Sequence, residues 1–443
     1  MRDIQIPRDA YVEKLMTRRL NGLVKVITGI RRCGKSYLLD NLLRERLLCD
    51  GVTKDHIVSI DLDDKSFLEL RNPLKLDKYI RRRVRRGKKP YYVFIDEIQR
   101  VRKVVAPGVD LATVAPEDRD DAYVTFYDVL NGLRKLENVD VYVTGSNSKT
   151  LSSDIATNFR DRGQQMRVWP LSFSEWLPVS GLTDKAEAFR RYLTWGGMPA
   201  AVICDDAEER TEYLKKLFDE VYLKDIRERH AIKDDLVISD LIDVLSSDIG
   251  SLTNPHKIGD TMNSLWKTRP SDHTLKAYLD YLEDAFLFSH ARRFEVKGRH
   301  YLNSPIKYYA TDLGLRNARL NFRDTDLSHP MENAIYNELR RCNVDVGVVP
   351  ISARDREGRQ TIRQHEIDFV VNRGNDKIYI QSALRLDDAE KERQETLSLR
   401  KTGDFFKKIV ITEGYGEPLA DRDGIIRVGV ITFMLDETFL KKL

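Results

Sequence analysis

Residues 24–36, Val-Lys-Val-Ile-Thr-Gly-Ile-Arg-Arg-Cys-Gly-Lys-Ser, constrain the fold more than any other stretch of this chain. The β-branched run 24–28 reads as a buried strand. Gly29 then opens a loop that closes on Gly34, Lys35 and Ser36. That is the spacing G-x-x-x-x-G-K-[ST] of a phosphate-binding loop. Its two glycines permit backbone angles that let several N–H groups point inward at phosphate oxygens. Lys35 brings an ammonium to the β and γ phosphates, and Ser36 offers its hydroxyl to Mg²⁺. Leu38, Leu39, Leu42, Leu43 and Leu47 mark one apolar face of the helix that follows. Its positive dipole end faces the same anion. The nucleotide contacts expected here are Gly29, Ile30, Arg31, Arg32, Cys33, Gly34, Lys35, Ser36 and Tyr37.

A second strand, 56–61, ends near the acidic Asp61, Asp63 and Asp64. A third, Tyr91-Tyr-Val-Phe-Ile, runs into Asp96 and Glu97. Adjacent carboxylates at the end of a buried strand are costly unless a cation or a proton-transfer task holds them there. Beside a phosphate loop, Asp96 would hold the Mg²⁺ of bound ATP with Ser36, and Glu97 would deprotonate the attacking water. The next buried strand, 139–144, leads into Gly-Ser-Asn147. Strand ends of a parallel sheet line the ligand crevice, so Asn147, beside Ser146, is placed to touch the γ-phosphate or that water.

Helices are expected over 8–20, about 73–86 and 124–136, with an exposed loop at 104–121. The basic run Arg81 to Lys89 reads either as a nucleic-acid or subunit contact or as a solvated helix end that favours the macrodipole.

At 443 residues, 41% hydrophobic and 33% charged, the chain can build several soluble domains. A net charge of only +4 leaves any nucleic-acid contact to local clusters. Cys33, Cys49, Cys204 and Cys342 are scattered without a C-x-x-C pair, which points to a reducing cytoplasm rather than a disulfide framework or a zinc cluster. No signal peptide and no membrane-spanning run is expected.

Several segments together resemble one prokaryotic family of AAA+-type P-loop ATPases whose C-terminal part is a domain of unknown function. They are the loop with Arg31-Arg32, Phe94-Ile-Asp-Glu-Ile-Gln99, Thr144-Gly-Ser-Asn-Ser148, Asp161-Arg162-Gly163, Trp169-Pro-Leu-Ser-Phe173 and Trp195-Gly-Gly-Met-Pro199. The resemblance spans essentially the whole chain. It implies an α/β fold, with a P-loop AAA+-type parallel-sheet core over 1–170 and a helical lid over 171–232. A winged-helix module over 233–325 and an α/β restriction-endonuclease-like domain over 326–443 would follow. It also implies ATP hydrolysis and a homo-oligomer in which an arginine before the Pro-Leu-Ser-Phe motif reaches the neighbouring subunit's site. Arg162 aligns with that arginine, with Arg160 close by. The competing reading of Arg162 is a surface arginine paired with Asp154 or Asp161.

Helical periodicity over 172–230 is broken at Gly196-Gly197. From 236 to 312 three helices and a strand pair are expected. The third helix starts at Ser271 or Asp272 and puts Leu275, Leu279 and Leu282 inward. Its outer face, expected to show Lys276, Asp280, Glu283 and Asp284, is poor for reading DNA. Basic residues gather instead in the expected wing: Arg292, Arg293, Lys297, Arg299, His300 and Lys307. The wing suits a DNA backbone, and the module suits a protein partner equally. In the last domain Glu332 and Glu338 lie on a helix, Asp368 on a strand, and Gln381 and Ala383 on the next. The metal-dependent nuclease core that this order resembles has Glu and Lys where Gln381 and Ala383 stand. An amide cannot replace a metal-binding carboxylate, so nuclease chemistry is not expected.

Overall fold

The phosphate loop leaves the carboxyl end of an interior strand of a parallel sheet. In the computed structural model, which describes residues 5–442 other than 86, 146–161, 233, 294–305, 324–325, 343–344, 354–362, 374–375, 387 and 437, residues 5–169 with 284–286 form one compact unit. Its strands are β1 (Val24–Thr28), β2 (Ile57–Asp61) and β3 (Tyr91–Asp96), then β4 (Val104–Val105) and β5 (Tyr123–Val124), and last β6 (Val139–Gly145) and β7 (Gly163–Arg167). Five of them make a sheet in the order β2-β3-β6-β1-β7, every pair parallel. β1, β3 and β6 are buried at every residue, as strands covered on both faces must be. One covering layer packs Leu76 and Ile80 from helix Pro73–Arg83, and Phe126, Val129, Leu130 and Leu133 from helix Phe126–Arg134, onto Val93, Ile95, Val141 and Val143.

Local chemistry explains the helix ends. Asn72 accepts hydrogen bonds from the N–H groups of Leu74 and Lys75, and Pro73 supplies the preset φ of a first turn. Thr125 and Asp128 cap each other's backbone at the second helix. Two details differ from expectation. The stretch after the loop is helical from 35 to 49, but its middle, Leu38–Leu43, is π-helical. The expected loop 104–121 is closed by the antiparallel pair β4 and β5. The basic helix end is partly engaged by its own helix, for Arg81 pairs with Asp77 at 2.8 Å and Arg83 lies 3.5 Å above the Tyr79 ring.

A charge pair lies in the middle of this sheet. Lys25 on β1 and Asp140 on β6 are ion-paired with both side chains 2% exposed. The Tyr142 hydroxyl and the Leu20 N–H also donate to Asp140, at 2.8 and 3.0 Å. Burial pushes the Lys25 ammonium below its usual value while Asp140 opposes that shift. Removing one partner strands the other charge in the core, which costs about 3–5 kcal/mol, whereas an apolar pair of similar volume is close to neutral. Asp140→Ala is therefore expected to lower the urea midpoint of this unit sharply. Lys25→Met with Asp140→Leu should recover most of the loss, and equal midpoints for Asp140→Ala and the parent would refute the account.

Residues 170–283 and 287–443 form the second unit. Helices Phe173–Ser180, Lys185–Trp195, Pro199–Val202 and Ala207–Lys216, and a helical run from 217 to 230, occupy the stretch expected as a lid. Helices Asp235–Ser247, Pro255–Trp266 and Asp272–Asp284 follow, the last capped by Ser271, whose hydroxyl accepts from Thr274 N at 3.1 Å. The strands are β8 (Leu252–Thr253), β9 (Phe288–Arg293), β10 (Ile306–Ala310), β11 (Asp345–Ala353), β12 (Arg363–Arg373), β13 (Asp376–Ala383), β14 (Lys407–Thr412), β15 (Leu419–Ala420) and β16 (Ile425–Gly429). All nine lie in one sheet, ordered β15-β16-β14-β13-β12-β11-β9-β10-β8. The join is β9 against β11, parallel, with Gly347 opposite Arg292. The stretches expected as winged helix and nuclease-like domain therefore share a sheet within one compact unit, together with the lid stretch.

Helix Ser328–Arg341 is buried from Pro330 to Leu339. Asn333 clasps the end of β10, accepting from Ala310 N and donating to Ala310 O, both at 2.8 Å. Asp312, fully enclosed, accepts from Gly197 N at 2.7 Å and Leu315 N at 3.0 Å, so it holds the Gly-Gly turn and caps the next helix. Burial pushes its carboxyl up to about 6 against those N–H donors.

Two expected surface positions are corrected. Asp284 is not on the outer face of its helix: it is 4% exposed, within a run buried from 284 to 288. Lys307 is not a wing cation, because its side chain turns into the unit and meets carboxylates there. Arg292 is exposed, while Lys297, Arg299 and His300 lie outside the described residues.

Candidate nucleotide-binding site

The loop conformation follows from its glycines. Gly29 has φ 147°, and a Cβ there would lie 2.2 Å from the Val168 carbonyl oxygen. Gly34 has φ 96° and sits immediately before the helix, where a side chain would be strained. Ile30 and Cys33 are buried, Arg31 and Tyr37 half-buried, and Arg32 exposed with a left-handed φ of 64°. Lys35 is 5% exposed and donates from Nζ to the carbonyl oxygens of Gly29 and Ile30, at 3.0 and 3.1 Å. Its ammonium thus lies inside the loop's own ring of peptide groups.

Parallel register brings the carboxyl ends of β1, β3 and β6 to the same edge, with Ile27 opposite Thr144 and Ile95 opposite Val143. Ser36 Oγ donates to Asp96 Oδ2 at 2.7 Å, so the two residues expected to hold a cation touch. Asp96 is 9% exposed, and burial pushes its carboxyl up to about 6. Thr144 and Ser36 oppose that shift by hydrogen bonding, while Glu97 and Asp61 add to it. A hard divalent cation beside Oδ2 would favour the ionised form, and a hydroxyl next to a carboxylate is the oxygen donor set such an ion takes. Among the described residues no group of three His, Cys, Asp or Glu side chains is arranged to hold a metal. Mg²⁺ at this place would thus be held by Ser36 and Asp96 together with phosphate oxygens and water.

Glu97 is half-buried at a left-handed φ of 52°. That conformation costs a non-glycine residue about 1–3 kcal/mol and gathers at functional sites. Two neighbours hold it. Thr144 Oγ1 accepts from Glu97 N at 3.0 Å and donates to Asp96 Oδ1, and Gln99 Nε2 donates to Glu97 Oε2.

The structure therefore brings the loop residues, Asp96 and Glu97 together and adds Thr144 and Gln99. Both are present in the sequence segments Thr144-Gly-Ser and Phe94 to Gln99, where polar residues at strand ends were the available signal. Arg8 had no such signal. It is 2% exposed, donates to Cys33 O at 3.1 Å and Trp169 O at 2.9 Å, and so pins the loop to the end of the sheet. Asn147 and Arg160 lie outside the described residues. Arg162 is exposed, and its carbonyl accepts from Val24 N at 3.1 Å, which places it at the start of β1 and not at the loop end.

Residues 21–177 match the model of a family described as an AAA domain, and residues 186–326 that of a domain of unknown function (DUF8612). A Haemophilus influenzae protein described as uncharacterized is 28% identical over 439 residues, 98% of this chain and all of that one. Another uncharacterized protein, from Methanocaldococcus jannaschii, is 28% identical over 391 residues, 84% of this chain and 77% of that one. Among solved structures, the Aeropyrum pernix Orc1 protein in complex with DNA is similar at TM-score 0.29 and 12% identity, over 72% of this chain and 94% of that one. Cdc6p from Pyrobaculum aerophilum is similar at TM-score 0.26 and 14% identity, over 72% and 96%. Such low TM-scores leave the architecture to be read from the strand order itself. The phosphate loop, Asp96 and Glu97 all lie inside residues 21–177, the stretch that matches the AAA domain model.

Proposed function

We propose that the chain binds ATP with Mg²⁺, hydrolyses it, and uses the nucleotide state to govern partner binding by its C-terminal unit. The observation that carries this reading is the contact of Ser36 with Asp96 beside the buried Lys35, with Glu97 next in the chain. Gly29 to Tyr37 cradle the phosphates, Ser36 and Asp96 hold the cation, and Glu97 takes a proton from the attacking water. Asn147 orients that water or the γ-phosphate. Arg162 completes the site of a neighbouring subunit in a homo-oligomer, in trans. A cytoplasmic setting is part of the proposal, supported by four cysteines scattered without a C-x-x-C pair; no helix among the described residues is long and apolar enough to cross a membrane.

For the C-terminal unit, the order of helices and strands from Asp235 to Ala310 supports a winged helix. The β11 to β14 sheet with helix Ser328–Arg341 supports a nuclease-like fold that binds a partner without cutting it, since Gln381 and Ala383 replace the acid and the base. Exposed Arg292 suits a DNA backbone, and the module suits a protein partner equally.

ATP binding and turnover by the full chain test the central claim. The parent chain is expected to bind and hydrolyse ATP with Mg²⁺. Lys35→Ala removes the cation that meets the β and γ phosphates and should abolish measurable binding. A Lys35→Ala variant that retains parental affinity would sink the assignment.

A further inference from the structure

A buried lysine sits at the centre of the C-terminal unit. Lys307, on β10, has a side chain 4% exposed, and its Nζ lies 2.9 Å from Glu332 Oε1, 2.5 Å from Glu366 Oε1 and 3.1 Å from Asp368 Oδ1. These carboxylates come from helix Ser328–Arg341 and from β12, two elements distant in sequence from β10. Two further bonds hold these carboxylates. The Tyr309 hydroxyl donates to Glu332 Oε1 at 2.7 Å, and Ser382 N donates to Asp368 Oδ2 at 2.9 Å.

An ammonium has three N–H donors and no acceptor; here it donates to Glu332 Oε1 and Asp368 Oδ1 and is ion-paired with Glu366 Oε1 as well. Burial works against the Lys307 charge, but Asp368, Glu332 and Glu366 together outweigh it and hold the group above the ordinary lysine value. Glu332 is pushed up to about 7, first by burial and then by Asp368, with Lys307 and Tyr309 opposing. The nuclease-like arrangement of this sheet implies Mg²⁺ at such carboxylates, and the residues present do not fit it. Gln381, 9% exposed, offers an amide where an anion is needed, and among the described residues its Oε1 has no hydrogen-bond partner. The carboxylates themselves converge on an ammonium.

We propose that Lys307 is the built-in cation of this site: it stands where a divalent metal would lie, excludes it, and ties β10 to helix Ser328–Arg341 and β12. A metal joins such elements only while it is bound. A lysine on the chain makes the tie permanent, in keeping with the single sheet that β9, β10, β11 and β12 share. The proposal rests on the nuclease-like reading only for the identity of the ion displaced, and it does not involve the ATP site.

Mn²⁺ titration of the nucleotide-free full chain, read by the resonance of free Mn²⁺ up to about 1 mM, tests it directly. The parent, Asp368→Asn and the milder Glu366→Gln should bind the same number of ions. Lys307→Ala vacates the space, and should melt earlier than the parent and gain one Mn²⁺ that Lys307→Ala with Asp368→Asn lacks. That ion should also raise the melting temperature of Lys307→Ala. An ion bound by the parent and lost in Asp368→Asn or Glu366→Gln would overturn the proposal. So would a folded Lys307→Ala that gains none. If Lys307→Ala does not fold, the comparison of the parent with the two carboxylate variants still decides the matter.

Discussion

Glu97→Gln is expected to bind ATP as the parent does and to hydrolyse it about 10²–10⁴-fold more slowly, the span associated with a positioned general base. The substitution changes one oxygen to an NH₂ and little else. Backbone strain at φ 52° is the same for either residue, and the bond from Glu97 N to Thr144 does not involve the side chain. Asp96 and Ser36 keep their contact, so the cation site survives. What is lost is the ability to accept a proton from water. Loss of turnover with binding retained would separate Glu97 from Lys35, whose removal acts on binding itself. Steady-state turnover at saturating ATP, with affinity measured separately, reads the two effects apart. Parental turnover in Glu97→Gln would show that another group activates the water.

Arg162→Ala is expected to depress turnover by about 10³–10⁵-fold, the range of an arginine that neutralises transition-state charge on a phosphoryl group. The position of Arg162 bears on where such a role could be played. Val24 N donates to Arg162 O, and Val24 is opposite Gly163, so Arg162 lies where β1 begins. The phosphate loop leaves the other end of β1. Five strand residues separate the two by roughly 13–16 Å, farther than an arginine side chain extends. Within one subunit Arg162 is too far from the loop to meet its own phosphates, so the proposed role requires a neighbouring subunit. Turnover per subunit should therefore rise with protein concentration as assembly proceeds. Mixing Lys35→Ala with Arg162→Ala should restore activity, since an intact loop in one meets an intact arginine from the other. A demonstrated mixed oligomer with no restored turnover would remove the role.

How much of this was legible beforehand depends on the distance over which each feature is encoded. Thirteen consecutive residues describe a strand, a glycine-hinged loop and a helix start, because backbone torsions are set by neighbours along the chain. Asp96 and Glu97 were legible for a similar reason: an apolar run ending in two acids states its own cost of burial. The helix start at Ser271 was likewise legible, because the cap is three residues from the N–H it accepts from.

Other features had no local mark. Lys307 looked like a wing cation because a lysine in a basic stretch is usually solvated, and nothing nearby announces Glu332, Glu366 or Asp368. Lys25 sits in the strand that was legible as buried, yet its partner Asp140 is 115 residues away. Arg8 reads as the basic end of a helix until Cys33 and Trp169 are brought to it.

The sequence by itself determined the glycine-hinged loop and the acidic strand end, since each follows from torsional and burial preferences of adjacent residues. The tertiary structure alone decided which buried charges meet, that Thr144 and Gln99 hold Asp96 and Glu97 in place, and that β8 to β16 form one sheet. An ion pair or a sheet edge has free energy only once the chain has folded back on itself. Charge and hydropathy along the chain describe what each residue needs, and only the folded backbone determines which partner supplies it.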